Sequence, residues 1–312
     1  MILILCWIVL LVLDLAVSGL IRAVAGVQFK RIFLWGLLSL LLPPAAILYG
    51  SLIERNTFRV KEIELTYENL PEEFKGYRIA HISDIHARSF SERKKSLQRA
   101  VNKINGLSPD MIAFTGDLIS MNPDELDNLS DVLSGLKAKD GTFSVLGNHD
   151  YCMYSDMSQE EKKDCLEELI RKEGEMGWDL ILNGHRIIRK GQDSIAVIGV
   201  ENTSPSRHFP SKGDLNKASE GTEGMFRIIL SHDPMHWEAE IIGKDYPLTL
   251  SGHTHAMQVS FFGWSPSSLI FKQHNGLYTE GGQSIYVNKG LGETIFPARI
   301  GARPEITLIT LK

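Results

Sequence analysis

Five short polar clusters constrain this chain more than any other feature: Asp84-Ile85-His86, Gly116-Asp117, Gly147-Asn148-His149-Asp150, Ser231-His232-Asp233 and Gly252-His253-Thr254-His255. Each closes a short apolar run, at 77–82, 111–115, 142–146, 225–230 and 247–250. Runs of that length, bounded by Gly and polar residues, predict buried strands. Five strand ends would then deliver carboxylates, imidazoles and one amide to a single sheet edge, where open α/β sheets take their ligands. These residue types bind divalent metals and activate water. One such cluster could be a satisfied polar cap. Five in one chain, each after an apolar run, argue against that reading.

Around these runs, strand and helix patterns alternate. Residues 59–67 read as an entry strand. Helical spacing covers 91–105, 123–136 and 158–176, and strands dominate from Asp179 on, at 180–182, 187–190, 195–200, 226–230, 248–250, 285–288 and 306–311. The alternation predicts an α/β sandwich. The polar stretch 204–224 predicts an exposed loop.

The first fifty residues differ in character. Residues 2–21 and 32–53 are apolar enough, and long enough, to predict two transmembrane helices. For the first, a signal peptide is the rival reading, but no Lys or Arg precedes the apolar core. Pro43-Pro44 would kink the second, and Trp35 and Tyr49 lie near its ends, where amphipathic rings favour the interface. Asp14 is either a functional residue within a span or a helix–helix hydrogen-bonder. The connector carries Arg22, Lys30 and Arg31 and no acid, which places it in the cytoplasm. The expected organisation is a membrane anchor over 1–54 and a catalytic domain over 55–312 on the extracytoplasmic side of the cell membrane. The net charge of −5 gives no basic footprint, so no nucleic-acid partner is expected. The three cysteines form no disulfide framework or zinc-site spacing; Cys6 lies in an apolar run, and Cys152 and Cys165 read as free thiols.

The five clusters together resemble the calcineurin-like metallophosphoesterases, and in particular the membrane-anchored branch that includes UDP-diacylglucosamine pyrophosphatase-like enzymes. The resemblance runs from about Arg78 to the end, through Tyr286-Val287-Asn288-Lys289-Gly290-Leu291-Gly292 and Gly301-Ala302-Arg303-Pro304-Glu305-Ile306-Thr307. It implies a four-layer αββα sandwich. It also implies that Asp84, His86 and His255 hold one metal, Asn148, His232 and His253 a second, and that Asp117 bridges them. His149 would be the catalytic acid and Asp150 would orient it by a hydrogen bond. Where many relatives carry two glycines after the His-Thr-His run, this chain has Ala256-Met257, which puts the size of the pocket in doubt.

The donor set holds no thiolate and suits manganese, iron or zinc as the two divalent ions. The implied activity is hydrolysis of a phosphodiester or pyrophosphate bond by a hydroxide that the two metals activate. The expected substrate is a phosphoester, lipid-linked or nucleotide-linked. The alternatives are a general phosphodiesterase or phosphatase on soluble substrates and a membrane-tethered, non-catalytic scaffold. Arg88, two residues past His86, reads either as a contact to substrate phosphate or as a solvated surface residue. The stretch 261–271, with Phe261, Phe262, Trp264, Leu269, Ile270 and Phe271, reads either as a lipid contact or as an ordinary hairpin.

Overall fold

The computed structural model describes residues 2–26, 29–205, 209–294 and 296–312, with side chains described throughout these except at 2–11, 13, 14 and 29–40. The chain opens with two helices, α1 (Ile2–Ala25) and α2 (Phe29–Leu52). Strands β1 (Arg59–Leu65) and β2 (Arg78–Ile82), helix α3 (Lys94–Gly106), β3 (Met111–Thr115), the short α4 (Ser130–Leu133), β4 (Thr142–Val145) and α5 (Gln159–Glu175) follow. Then come β5 (Asp179–Leu180), β6 (Gly184–Lys190), β7 (Asp193–Gly199), α6 (Leu215–Ser219), β8 (Phe226–Leu230), β9 (Leu248–Ser251), β10 (Gly276–Glu280), β11 (Gln283–Val287) and β12 (Glu305–Leu311).

The strands form two six-stranded sheets, ordered β1-β12-β2-β3-β4-β5 and β10-β11-β9-β8-β7-β6. Strands β2, β3 and β4 run parallel in one, and β7, β8, β9 and β11 in the other. Both faces of the central strands are buried, so alternate residues enter different cores. On β3, Met111 and Ala113 face a core shared with Val197, Ile228 and Leu250 of the second sheet. Ile112 and Phe114 face the other way, onto Leu97, Val101 and Ile104 of α3 and Leu169 of α5. On the second sheet, Ala196, Ile198 and Ile229 pack outward against Leu215 and Ala218 of α6 and against Trp237. Helices, sheet, sheet and helices thus stack as the expected α/β sandwich. Truncating a core side chain such as Phe114 would cost about 3–5 kcal/mol.

Several expectations shift. The helix expected over 123–136 is broken into a turn at Pro123–Leu126 and α4. Asp127 and Asn128, which favour turns over helix interiors, stand at the break. The expected loop 204–224 contains α6, because Leu215 and Ala218 are buried on the second sheet. Cys152 and Cys165 form a disulfide rather than two free thiols.

The two N-terminal segments are helical, as expected of spans over 2–21 and 32–53. Among the described residues, however, no helix is long and apolar enough to cross a membrane. The transmembrane expectation is not carried by the fold, since many of the apolar side chains on which it rested lie outside those described. Asp14 and Trp35 also lie outside them. The end of α2 is tied to the sandwich. Gly50 is buried and accepts a hydrogen bond from Arg299 N–H at 3.4 Å, and Glu54 accepts one from Gly301 N–H at 2.8 Å.

Candidate metal centre

Five C-terminal strand ends converge, as the sequence predicts. β2 ends beside Asp84 and His86, β3 beside Asp117, β4 beside Asn148 and His149, β8 beside His232, and β9 beside His253 and His255. Backbone bonds lock the first two loops together: Asp84 N–H donates to Gly116 O at 2.9 Å, and His86 N–H to Asp117 O at 3.0 Å. The backbone is strained where the side chains converge. Asp84, His86, Asp117, His253 and His255 all adopt positive φ, between 43° and 72°. Non-glycine residues rarely do so, and such conformations cluster at functional sites because they aim side chains at a cost. Ala256 and Met257 continue the run at 49° and 47°, in the left-handed region that favours glycine. Gly147 has no such freedom to exchange, since a Cβ there would overlap Asp117 Oδ1.

The side chains form one buried cluster. His255 Nε2 lies 3.1 Å from Asp84 Oδ1, and His86 Nε2 lies 3.1 Å from His255 Nε2 and 3.6 Å from Asp117 Oδ2. Across Asp117, His232 Nε2 lies 3.2 Å from Asp117 Oδ2, 3.1 Å from Asn148 Oδ1 and 3.1 Å from His253 Nδ1. Among the described residues, three groups could hold a metal ion: Asp84, His86 and His255; His86, Asp117 and His149; Asp117, His232 and His253. Asp117 thus stands between the two sets inferred from the sequence, and Asn148 offers its amide oxygen to the second. Ring nitrogens and carboxylate oxygens this close, and this buried, fit cations better than one another. His86 against His255 brings two imidazole nitrogens face to face with one proton at most between them.

The charges favour the same view. Burial holds His86 and His253 below the ordinary histidine range, so their imidazoles are neutral and keep a lone pair. Burial pushes Asp84 and Asp117 up, but the surrounding histidines outweigh it and hold both well below the usual carboxylate range. Burial also works against a charged His232, yet the Asp117 carboxylate beside it raises that imidazole to about 10. A cation entering here would therefore displace a proton.

Backbone carbonyls orient the rings. His232 Nδ1 lies 2.7 Å from Thr115 O, which leaves its Nε2 for the cluster. His149 Nδ1 lies 2.9 Å from Ser120 O, so its Nε2 is the free nitrogen. This corrects the expected role of Asp150. Its carboxylate accepts Asp117 N–H, Leu118 N–H, Ile119 N–H and Gly147 N–H at 2.8–3.2 Å, and it ties the loop of Asp117 to that of Asn148 instead of holding the His149 ring.

Three residues stand here without having been singled out. Tyr154 accepts Asn148 Nδ2 at 2.8 Å, and its ring stacks on His149 at 4.1 Å between centroids. Ser120 supplies the carbonyl to His149, and its hydroxyl lies 3.3 Å from His86 Nδ1. Arg299 is fully buried and donates to the carbonyls of Lys289, Gly290, Gly292 and Ala302, gathering the tail loop behind His255. Only the tail had a signal in the sequence, the Gly-rich stretch after β11.

Comparison with known proteins agrees with this geometry. A family model described as calcineurin-like phosphoesterase matches residues 77–257, more than half of the chain and every residue of the cluster. A zebrafish (Danio rerio) transmembrane protein with metallophosphoesterase domain is 31% identical over 93% of this chain; the chain spans 65% of that protein's length. The metallophosphoesterase YkuE of Bacillus subtilis is also 31% identical, over 85% of this chain and 89% of its own length. The UDP-2,3-diacylglucosamine pyrophosphatase LpxG of Chlamydia trachomatis is 28% identical, over 80% and 88%. The chain belongs to the calcineurin-like phosphoesterase family, and with it to the hydrolases that act on phosphoester bonds.

Proposed function

We propose that this chain hydrolyses a lipid-linked phosphodiester or pyrophosphate with two divalent ions, manganese, iron or zinc, held by the buried cluster. The observation that carries the reading is Asp117, whose carboxylate adjoins His86 on one side and His232 on the other. In the proposed arrangement Asp84, His86 and His255 hold one ion and Asn148, His232 and His253 the other. Bound there, two cations supply a water of lowered pKa and a clamp on the phosphoryl oxygens. The chain's own part is positional. Ser120 O accepts His149 Nδ1–H and aims the ring, and His149 in its imidazolium form gives its Nε2 proton to the departing oxygen. Asp150 keeps the loops of Asp117 and Asn148 in register.

A lipid-linked substrate is supported by three features. Leu41, Leu42, Ile47, Leu48 and Leu52 of α2 are exposed, and α1 likewise exposes Val12, Leu15, Val17, Leu20 and Val24. Relatives from zebrafish and cattle are named transmembrane proteins, and LpxG is named for a lipid-linked pyrophosphate. We place α1 and α2 in or on a membrane, with the domain from residue 55 carrying the chemistry. The Cys152–Cys165 disulfide favours an oxidising, extracytoplasmic side for that domain.

The test is His149→Ala assayed against aryl phosphodiesters of graded leaving-group pKa. The variant should bind metal normally and lose activity most, by about a hundredfold or more, for poor leaving groups. Equal losses across the series would remove His149 from the acid role.

A further inference from the structure

A cavity of about 670 Å³ adjoins the centre on its His149 side. It reaches from His149 and Ser120, which border the metal cluster, to Ser51 and Leu52 at the end of α2, with Met121, Phe296 and Pro297 among its apolar lining. Three arginines line it. Two are engaged: Arg93 Nη2 donates to Glu293 Oε2 at 2.7 Å, and Arg55 Nη1 donates to Pro297 O at 2.8 Å. The third, Arg88, has a fixed backbone, its N–H donating to Glu125 Oε2 at 3.0 Å. Among the described residues its exposed guanidinium meets no hydrogen-bond or ion-pair partner.

A general acid must touch the atom that leaves. If His149 is that acid, whatever fills the cavity it lines is the departing half of the substrate rather than the half that keeps the attacked phosphorus. The volume suits a large organic group, within the roughly 300–1,000 Å³ of small-molecule sites. A free guanidinium beside apolar walls selects an anion attached to an apolar body. We infer that the departing half of the substrate lies in this cavity as an amphiphilic phosphate, with the phosphate on Arg88 and the apolar part against Met121, Phe296 and Leu52. The inference rests on the reading of His149 as the acid. The scissile bond is then one P–O bond of a pyrophosphate diester. Water adds across it: its oxygen ends on the attacked phosphorus, and a proton reaches the departing phosphate oxygen through His149 Nε2.

The test uses the full chain in detergent with Mn²⁺. Wild type, Arg88→Ala, Arg88→Lys and Phe296→Ala are assayed on bis(p-nitrophenyl) phosphate, on a UDP-sugar and on the same UDP-sugar carrying acyl chains. Arg88→Ala should lower the ratio of pyrophosphate to aryl-diester kcat/KM by about tenfold or more, with part restored by Arg88→Lys. Phe296→Ala should lower the ratio of acylated to unacylated turnover. Unchanged ratios would overturn the inference and leave the phosphoesterase reading standing, as would a wild type that cleaves the diester and neither pyrophosphate. Failure on all three compounds with metal bound would overturn both.

Discussion

Asp117 shows how much rests on single side chains. It belongs to two of the three groups able to hold a cation, and its second oxygen accepts His149 N–H at 2.9 Å. Asp117→Asn keeps the shape and removes the charge. It should bind less than one metal per site and lose more than about a hundredfold in activity, while circular dichroism stays that of the folded domain. Tyr154 makes a subtler case. Its hydroxyl holds the amide of Asn148 with Oδ1 toward His232, so Tyr154→Phe should weaken metal affinity by about tenfold while leaving the stack on His149 intact. Isothermal titration would show it, and unchanged affinity would contradict the role. Polar clusters closing five apolar runs disclosed the ligand candidates, and the resemblance sorted them into sets. Neither disclosed Tyr154 or Ser120, which act through loop geometry and a backbone carbonyl. The resemblance implied that Asp150 orients His149, whereas the turn at His149–Tyr151 directs its carboxylate to four backbone N–H groups.

Elements carry these residues, and two of them explain how. The turn at Pro123–Leu126 opens with a capping box in which Glu125 accepts Ser120, Met121 and Asn122 N–H, and also Arg88 N–H. One carboxylate thus joins the loop that orients His149 to the turn that presents Arg88. Glu125→Ala should cost about 1–3 kcal/mol of stability and at least tenfold in turnover, read by thermal melts and kinetics on one preparation. Helix α5 buries Cys165, Leu169 and Glu173 along one stripe. Glu173 accepts the Ser144 hydroxyl of β4 at 2.6 Å, and burial pushes its carboxyl up to about 8. The folded state therefore holds a proton that the unfolded chain releases near its ordinary value. The contribution of Glu173 to stability is complete below about pH 4.5 and declines as pH rises toward 8. Glu173→Gln should flatten that decline, so its melting temperature should exceed the wild type's most at pH 8–9. An identical decline in the variant would place the effect elsewhere. The central strands were legible because burial on both faces leaves short apolar runs. The break after Leu126, helix α6 and the disulfide from Cys152 to α5 were not, since each depends on what the segment packs against.

At the scale of the whole molecule, two parallel-rich sheets face one another so that strand ends from both supply one buried cluster, β2, β3 and β4 from the first and β8 and β9 from the second. The end of α2 is bonded to the tail loop through Gly50 and Glu54, and the cavity beside His149 reaches that end. This places the proposed chemistry next to the end of α2, and the exposed apolar residues of α1 and α2 support the lipid-linked reading. The most direct test of the account is metal dependence with counting. The full chain in detergent would be stripped of metal and titrated with Mn²⁺, Fe²⁺ or Zn²⁺, with bound metal counted by mass spectrometry and bis(p-nitrophenyl) phosphate hydrolysis followed in the same samples. The account predicts activity that is absent in the stripped protein and returns only as occupancy passes one and approaches two ions per chain. Full activity at one ion, or activity without any, would contradict it.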